Sequence, residues 1–311
     1  MAGRAKKRGV HLYQAINHPW SRPPKADGTR GGNLIMKKPT VIITTGDPDG
    51  IGPEVTKKAL KDPAIKRLAN FCVINANDDT GLDAIKRAVK VLDAQEAHAL
   101  VTAPVNKAKI ARSGISFKGH TEYLAEHTNT KRFAMLFCSG RLKVSLVTRH
   151  IPLKKVPGAI TKEKIRDAIE LTYEALDSDF GISNPRIGVC GLNPHSGESG
   201  LIGTEEKDII EPVIKKLKSR IPGLTGPLPS DVAFYKAYNY QLDAVVSMYH
   251  DQGLGPFKMV AFHSGVNVTL GLPFIRTSPD HGTAYDIAGK GIADPGSMKG
   301  AIRLAVKMCL A

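Results

Sequence analysis

Residues 40–54 read TVIITTGDPDGIGPE. The first six are all β-branched, the composition of a strand buried on both faces. GDPDG then supplies turn residues, and Pro53 stands where the first turn of a helix tolerates a missing amide. A strand passing through a short turn into a helix opens a βα unit, and the chain repeats the alternation. Strands are expected at 71–74, 99–102, 142–148, 186–190 and 244–249. Between them, Ile85, Ala88, Val89 and Leu92 recur at the spacing of one helix face. Thr161 is placed to cap a helix carrying Ile165, Ala168, Ile169, Tyr173 and Leu176. Further helices are expected at 54–61, 204–217 and 298–310. This order predicts an α/β fold with a mostly parallel sheet flanked by helices. With 311 residues, the chain can form one large domain or two lobes sharing a cleft.

Composition narrows the class. Hydrophobic residues at 42% and charged residues at 23% are ordinary for a soluble chain. No apolar run reaches the length of a membrane span, and no apolar stretch follows the basic start as in a signal peptide. A cytoplasmic protein is expected. The net charge is +15, but residues 1–38 hold nine Lys/Arg against Asp27 alone. That segment, rich in Gly and Pro, reads as a disordered basic leader ahead of a start at Met36; a nucleic-acid-binding arm is the sharper alternative. The remaining +7 suits an anionic substrate. Cys72, Cys138, Cys190 and Cys309 form no CxxC pair and read as reduced core residues.

Three histidines fall just beyond strands: His150 after 142–148, His195 in CGLNPHSGESG, and His250 in SMYHDQG. Ligands of open α/β folds gather at the carboxyl ends of strands, so these imidazoles could converge on one metal ion and leave positions open for substrate. Widely spaced histidines are more often hydrogen-bonding loop residues, and position alone does not decide. Residues 250–286 are denser in polar chemistry. Lys258, Asn267 and Arg276 offer two cations and an amide, a set that suits a phosphate and a carboxylate on one small molecule. His120 and Thr121, expected in a loop after Gly119, can bind phosphate oxygens. GxGxxG, the P-loop, HExxH and GxSxG are all absent, which excludes an ordinary Rossmann dinucleotide site.

The strings GDPDGIGPE, VTAPVNK, GISFKGHTEYL, CGLNPHSGESGLIGTEE, GPLPSD, YHDQGLGPFK and GVNVTLGLPFIRTSPDHGTAYDIAGKG together resemble the 4-hydroxythreonine-4-phosphate dehydrogenase family, from about residue 40 to the C-terminus. The resemblance implies a two-lobed fold like that of the isocitrate and isopropylmalate dehydrogenases, with a mostly parallel sheet and a central cleft. It implies a homodimer whose active site is shared between subunits. It places a divalent metal (Zn, Mg, Mn or Co) on His150, His195 and His250. Substrate contacts map onto His120, Thr121, Lys258, Asn267 and Arg276, and NAD or NADP is expected near Asp280 and His281. The implied reaction oxidises 4-phosphooxy-L-threonine, with decarboxylation, in pyridoxal phosphate (vitamin B6) biosynthesis. Lys258 and Asp251 are candidates for the proton-transferring group.

The same resemblance leaves alternatives open. A sister enzyme would act on 4-phospho-D-threonate or 4-phospho-D-erythronate. A more distant one oxidises aromatic cis-dihydrodiols and needs no phosphate contacts. From another class, a non-catalytic protein would use its basic leader to dock an acidic partner. The sequence also departs from the family. Several dozen residues of the first lobe are missing near 74–75, Arg149 precedes the first ligand histidine, and Asp49 replaces a small residue in the GDP turn. Each is expected to bear on stability or substrate preference.

Overall fold

Ten strands assemble into one sheet: β1 Thr40–Thr44, β2 Asn70–Ile74, β3 Ala99–Thr102, β4 Ala134–Ser139, β5 Leu142–Leu146, β6 Ile187–Cys190, β7 Leu224–Leu228, β8 Ala244–Ser247, β9 Val266–Leu270 and β10 Ile275–Pro279. The computed structural model describes residues 38–311, so the expected basic leader lies, but for Lys38, outside the described residues. Across the sheet the order is β2-β1-β3-β10-β9-β4-β5-β8-β6-β7. The three pairings among β10, β9, β4 and β5 are antiparallel, and all the others are parallel. An antiparallel centre thus joins two parallel flanks.

The two faces of the sheet are covered differently, and this difference makes the site. On one face Val41, Val101, Leu136, Val189, Val246 and Val268 belong to a single continuous core. The helices Gly52–Lys61, Lys162–Ser178 and Gly296–Leu310 contribute to it. On the opposite face the core is split. Leu100 packs with Ile85 and Leu124 of the helices Leu82–Asp93 and His120–His127. Val144 and Leu146 pack with Phe234 and Phe257 of the helices Ser230–Tyr238 and His250–Ala261. Between these two apolar caps the central strands present Thr102, Asn267, Thr269, Arg276 and Ser278. All five are buried, and the strand register sets them on one face. Apolar side chains on one side and polar ones on the other follow from the period-2 alternation of a strand. A polar strip between two apolar caps is the floor of a cleft.

Most expected elements fall where the pattern places them. Thr161 caps its helix by accepting from the Lys164 amide, and Ile85, Ala88, Val89 and Leu92 are all buried. Several expectations need correction. β5 and β8 stop at Leu146 and Ser247, short of the expected ends. His250, beyond β8, is the first residue of an unexpected helix, His250–Ala261. That helix was hidden by Gly253, Gly255 and Pro256, all poor helix formers. Gly253 is required by packing, because a Cβ there would lie 2.7 Å from Leu146 Cδ2. His120 and Thr121 open a helix and do not lie in a loop. The helix expected over 204–217 begins as a π-type turn, Glu206–Ile210, before the α-helix Glu211–Leu217. Cys72 is exposed, because β2 is an edge strand, whereas Cys138 and Cys190 are buried. From β2, only seven residues, 75–81, lead into helix Leu82–Asp93. No helix among the described residues is long and apolar enough to cross a membrane.

Candidate active site

Two adjoining cavities lie over the polar floor. The first, about 220 Å³, is lined by residues that include Thr102, Lys107, His120, Thr121, Glu122, Arg276, Ser278 and His281. The second, about 480 Å³, is lined by residues that include His250, Asp251, Leu254, Lys258 and Asp280. Met135, His150 and Asn267 line both. Every residue expected to bind metal, substrate or cofactor or to transfer a proton, except His195, therefore borders one cavity or the other.

Arg276 dominates the first cavity. It sits on β10 with 4% of its surface exposed. Nη1 donates to Thr269 Oγ1 at 3.1 Å and Nη2 to Thr102 Oγ1 at 2.6 Å, while Nε has no partner. Among the described residues no carboxylate comes within ion-pair distance of it. Burial pushes its pKa down to about 10, against a smaller raising effect of Glu122. A buried, uncompensated guanidinium is costly unless an anion arrives. Asn267 Oδ1, His120 Nε2 and His281 Nε2 are also buried without partners, and all three residues line the same cavity. Thr121 Oγ1 shares a hydrogen bond with Thr269 Oγ1 at 3.0 Å, which ties the helix start to the floor.

His120 is half-buried, with its Nε2 out of contact with solvent. Burial, then the charges of Arg276 and Lys107, hold its pKa well below the ordinary imidazole value of 6.5. Its folded-state pKa is therefore lower than its unfolded one. Below about pH 6.5 the unfolded chain binds the proton that the folded chain refuses, so stability falls as pH falls. Denaturant unfolding between pH 7 and 5 should show wild type losing up to about 1.4 kcal/mol per pH unit more than His120→Asn. Equal pH slopes for the two proteins would contradict the assignment.

His150, in the loop beyond β5, and His250, at the start of its helix, come together with ring centroids 5.4 Å apart. Burial, Lys107 and His250 all lower the pKa of His150, which favours the neutral form that ligates metals. Asp251 Oδ1 lies 2.7 Å from His250 Nδ1, an outer carboxylate that fixes the ring and leaves Nε2 free, as at metal-ligating histidines. Two imidazoles so arranged fit a divalent cation, but they are only two. Among the described residues no three His, Cys, Asp or Glu side chains come together to hold a metal.

His195 is the expected residue that the chain does not bring in. Its side chain is 74% exposed, and its Nδ1 lies 2.6 Å from Glu198 Oε1. Within one chain, then, two of the three imidazoles meet and His195 lies apart. The local cause is backbone shape. Residues 195–199 all take left-handed dihedrals, which turn the chain sharply away after β6. Each L-residue in that conformation costs about 1–2 kcal/mol.

Lys258 Nζ lies 2.5 Å from Asp280 Oδ2 and donates to the Asp280 carbonyl at 2.9 Å. Asp251, with a 90% exposed side chain, is engaged by His250. Several lining residues were not singled out in the sequence: Thr102, Lys107, Glu122 and Ser278. VTAPVNK and GHTEY contained three of them, and their types alone carried no signal. The two departures near the site are each locally neutralised. Arg149 lies 3.6 Å from Glu122 Oε1 and stacks over the Phe133 ring at 4.6 Å. Asp49 pairs with Lys109 at 2.7 Å. Neither lines the two cavities.

The family model described as pyridoxal phosphate biosynthetic protein PdxA matches residues 56–305. The chain belongs to the PdxA family. It is 51% identical to the 4-hydroxythreonine-4-phosphate dehydrogenase of Aromatoleum aromaticum over 314 residues, covering 87% of this chain and 96% of that protein. That alignment is longer than the share of this chain it takes up, so several dozen of its positions lack a counterpart here. Among solved structures, the 4-hydroxythreonine-4-phosphate dehydrogenase of Klebsiella pneumoniae superposes with a TM-score of 0.79 at 33% identity, covering 89% of this chain and 99% of that one. A terephthalate 1,2-cis-dihydrodiol dehydrogenase from Burkholderia xenovorans is more distant, with a TM-score of 0.64 at 26% identity, covering 86% and 98%.

Proposed function

We propose that this PdxA-family chain is a dehydrogenase that oxidises 4-phosphooxy-L-threonine, with decarboxylation, in pyridoxal phosphate biosynthesis. The observation that carries the reading is the buried, unpaired guanidinium of Arg276 beside the partnerless Asn267 Oδ1 and His120 Nε2. That constellation receives the phosphate end of a small substrate, with Thr121 as a further hydroxyl. A substrate without an anionic group would leave the guanidinium uncompensated, so an anionic substrate is favoured. Among the described residues, Glu122 is the only carboxylate lining the first cavity. It can accept from the amino group of an amino-acid substrate, which phosphothreonate and phosphoerythronate lack.

The substrate's reacting hydroxyl is placed at the junction of the two cavities, beside His150 and His250. These two histidines, with His195 from a second copy of the chain, would hold a divalent metal ion (Zn, Mg, Mn or Co), which when bound makes a coordinated hydroxyl more acidic. A nicotinamide cofactor, NAD or NADP, supplies the hydride acceptor; His281, with its free Nε2, and Asp280 border its proposed position. Lys258 holds positive charge against Asp280 at the edge of the second cavity, where it can stabilise a developing oxyanion. Asp251 serves by orienting His250.

A homodimer is part of the proposal. Ile151 and Leu153 follow His150, and Leu201 and Ile202 follow the His195 loop; all four are exposed, Leu201 by 86%. Exposed apolar residues flanking both halves of an incomplete metal site suit a two-fold interface in which each copy completes the other. The experiment is NAD(P) reduction against a panel of phosphorylated hydroxy acids, with and without a chelator. The reading expects fastest turnover on 4-phosphooxy-L-threonine and its loss on chelation. Turnover indifferent to chelation would contradict the metal role, and preference for a phosphothreonate would move the chain to the sister activity.

A further inference from the structure

The loop bearing His195 is held by a carboxylate that the proposed chemistry does not use. Glu206 is 2% exposed, and no cation among the described residues pairs with it. Its Oε1 accepts the backbone amides of Leu192 and Asn193, both at 2.7 Å, and its Oε2 accepts Asn193 Nδ2 at 2.9 Å. Burial pushes its pKa up, but the hydrogen bonds from Asn193 and Leu192 outweigh that and leave it lowered. The loop closes tightly on the same carboxylate. A Cβ on Gly197 would lie 2.6 Å from Oε2, and one on Gly191 would lie 3.0 Å from Oε1.

The segment so gripped is the strained one. His195, Ser196, Gly197, Glu198 and Ser199 have φ of +51°, +55°, +80°, +41° and +59°. A consecutive run of left-handed residues, four of them with side chains, is rare. It persists only where its surroundings over-determine it. Glu206 supplies that constraint, and it does so from a π-type turn, an irregularity frequent at functional sites. A second strut ties the same loop to the His250 end of the cleft. Gln252 donates through Nε2 to the Gly191 carbonyl at 2.7 Å and accepts through Oε1 from the Met248 amide at 2.7 Å.

We propose that Glu206 is the positioning residue for His195: its carboxylate clamps residues 191–197 so that the left-handed turn presents the imidazole outward, ready for the second copy's His150 and His250. The proposal rests on the reading of His195 as a metal ligand. Glu206 touches neither substrate nor metal.

The test compares Glu206→Gln with wild type in Zn²⁺ and Co²⁺ titrations of the full chain, alongside kcat and KM. Glutamine keeps the size and the two backbone bonds but turns an NH₂ toward Asn193 Nδ2, donor against donor. The metal dissociation constant should rise about 10- to 100-fold, as outer residues at metal sites generally show. Turnover should fall at limiting metal and return with excess metal, with substrate KM unchanged. Wild-type-like metal affinity in the variant would overturn the proposal. Should Glu206→Gln fail to fold, hydrogen exchange on the wild-type chain decides instead. The amides of Leu192 and Asn193 should be protected like those of β6, and exchange at free-loop rates would overturn the clamp. The underlying reading fails differently. His195→Ala retaining metal and turnover would sink the ligand assignment, whereas an inactive His195→Ala beside a wild-type-like Glu206→Gln sinks the positioning role alone.

Discussion

Replacing Arg276 with methionine is expected to lower kcat/KM for the phosphorylated substrate by roughly 30- to 4,000-fold, while the ligand-free chain melts at the same temperature or higher. The first effect corresponds to the 2–5 kcal/mol lost when one partner of a buried charge pair is removed. The second follows because, among the described residues, the guanidinium has two hydroxyl partners and no carboxylate within ion-pair distance. A methionine in that volume removes an uncompensated charge, and such exchanges are neutral or stabilising. Inorganic phosphate should raise the melting temperature of wild type and not of the variant, since only a ligand that binds the native state stabilises it. Arg276→Lys should not rescue, because an ammonium cannot reach Thr102, Thr269 and the anion together. A variant that loses stability and keeps kcat/KM would show that Arg276 is structural.

His195→Ala is expected to lose about 10³-fold or more in turnover, and metal with it, while folding normally. The magnitude reflects the several kcal/mol that a Lewis acid contributes to charge development. Normal folding follows from exposure: the side chain is largely in solvent and its ring bonds Glu198. The metal analysis of the purified variant should show stoichiometry well below that of wild type. Full activity would remove His195 from the site.

The fold was legible because β-branched runs and helix periodicity rarely mislead when both are strong. β1 and the helix Leu82–Asp93 are examples. The helix His250–Ala261 was not legible, because its glycines and proline serve packing against Leu146 and override propensity. β9 and β10 were read as a dense polar segment, since each alternates core residues with Asn267, Thr269, Arg276 and Ser278 on the cleft side. Residue type marked the cations and histidines. It could not mark Glu206 or Gln252, whose importance lies in the backbone groups they bind. Nor could spacing tell which histidines meet in one chain. His150 and His250 do, because β5 and β8 are neighbours in the sheet; His195 is turned outward by its own left-handed loop.

A metal site built by two copies of the chain can be tested by mixing subunits. His195→Ala and His150→Ala are each expected to be inactive alone. When the two are unfolded together and refolded as a mixture, half the dimers should be mixed, and one site in each should carry His150 and His250 from one copy and His195 from the other. Recovery of about a quarter of wild-type turnover is the predicted result for such a shared two-fold site. A mixture that forms mixed dimers and remains inactive would contradict it.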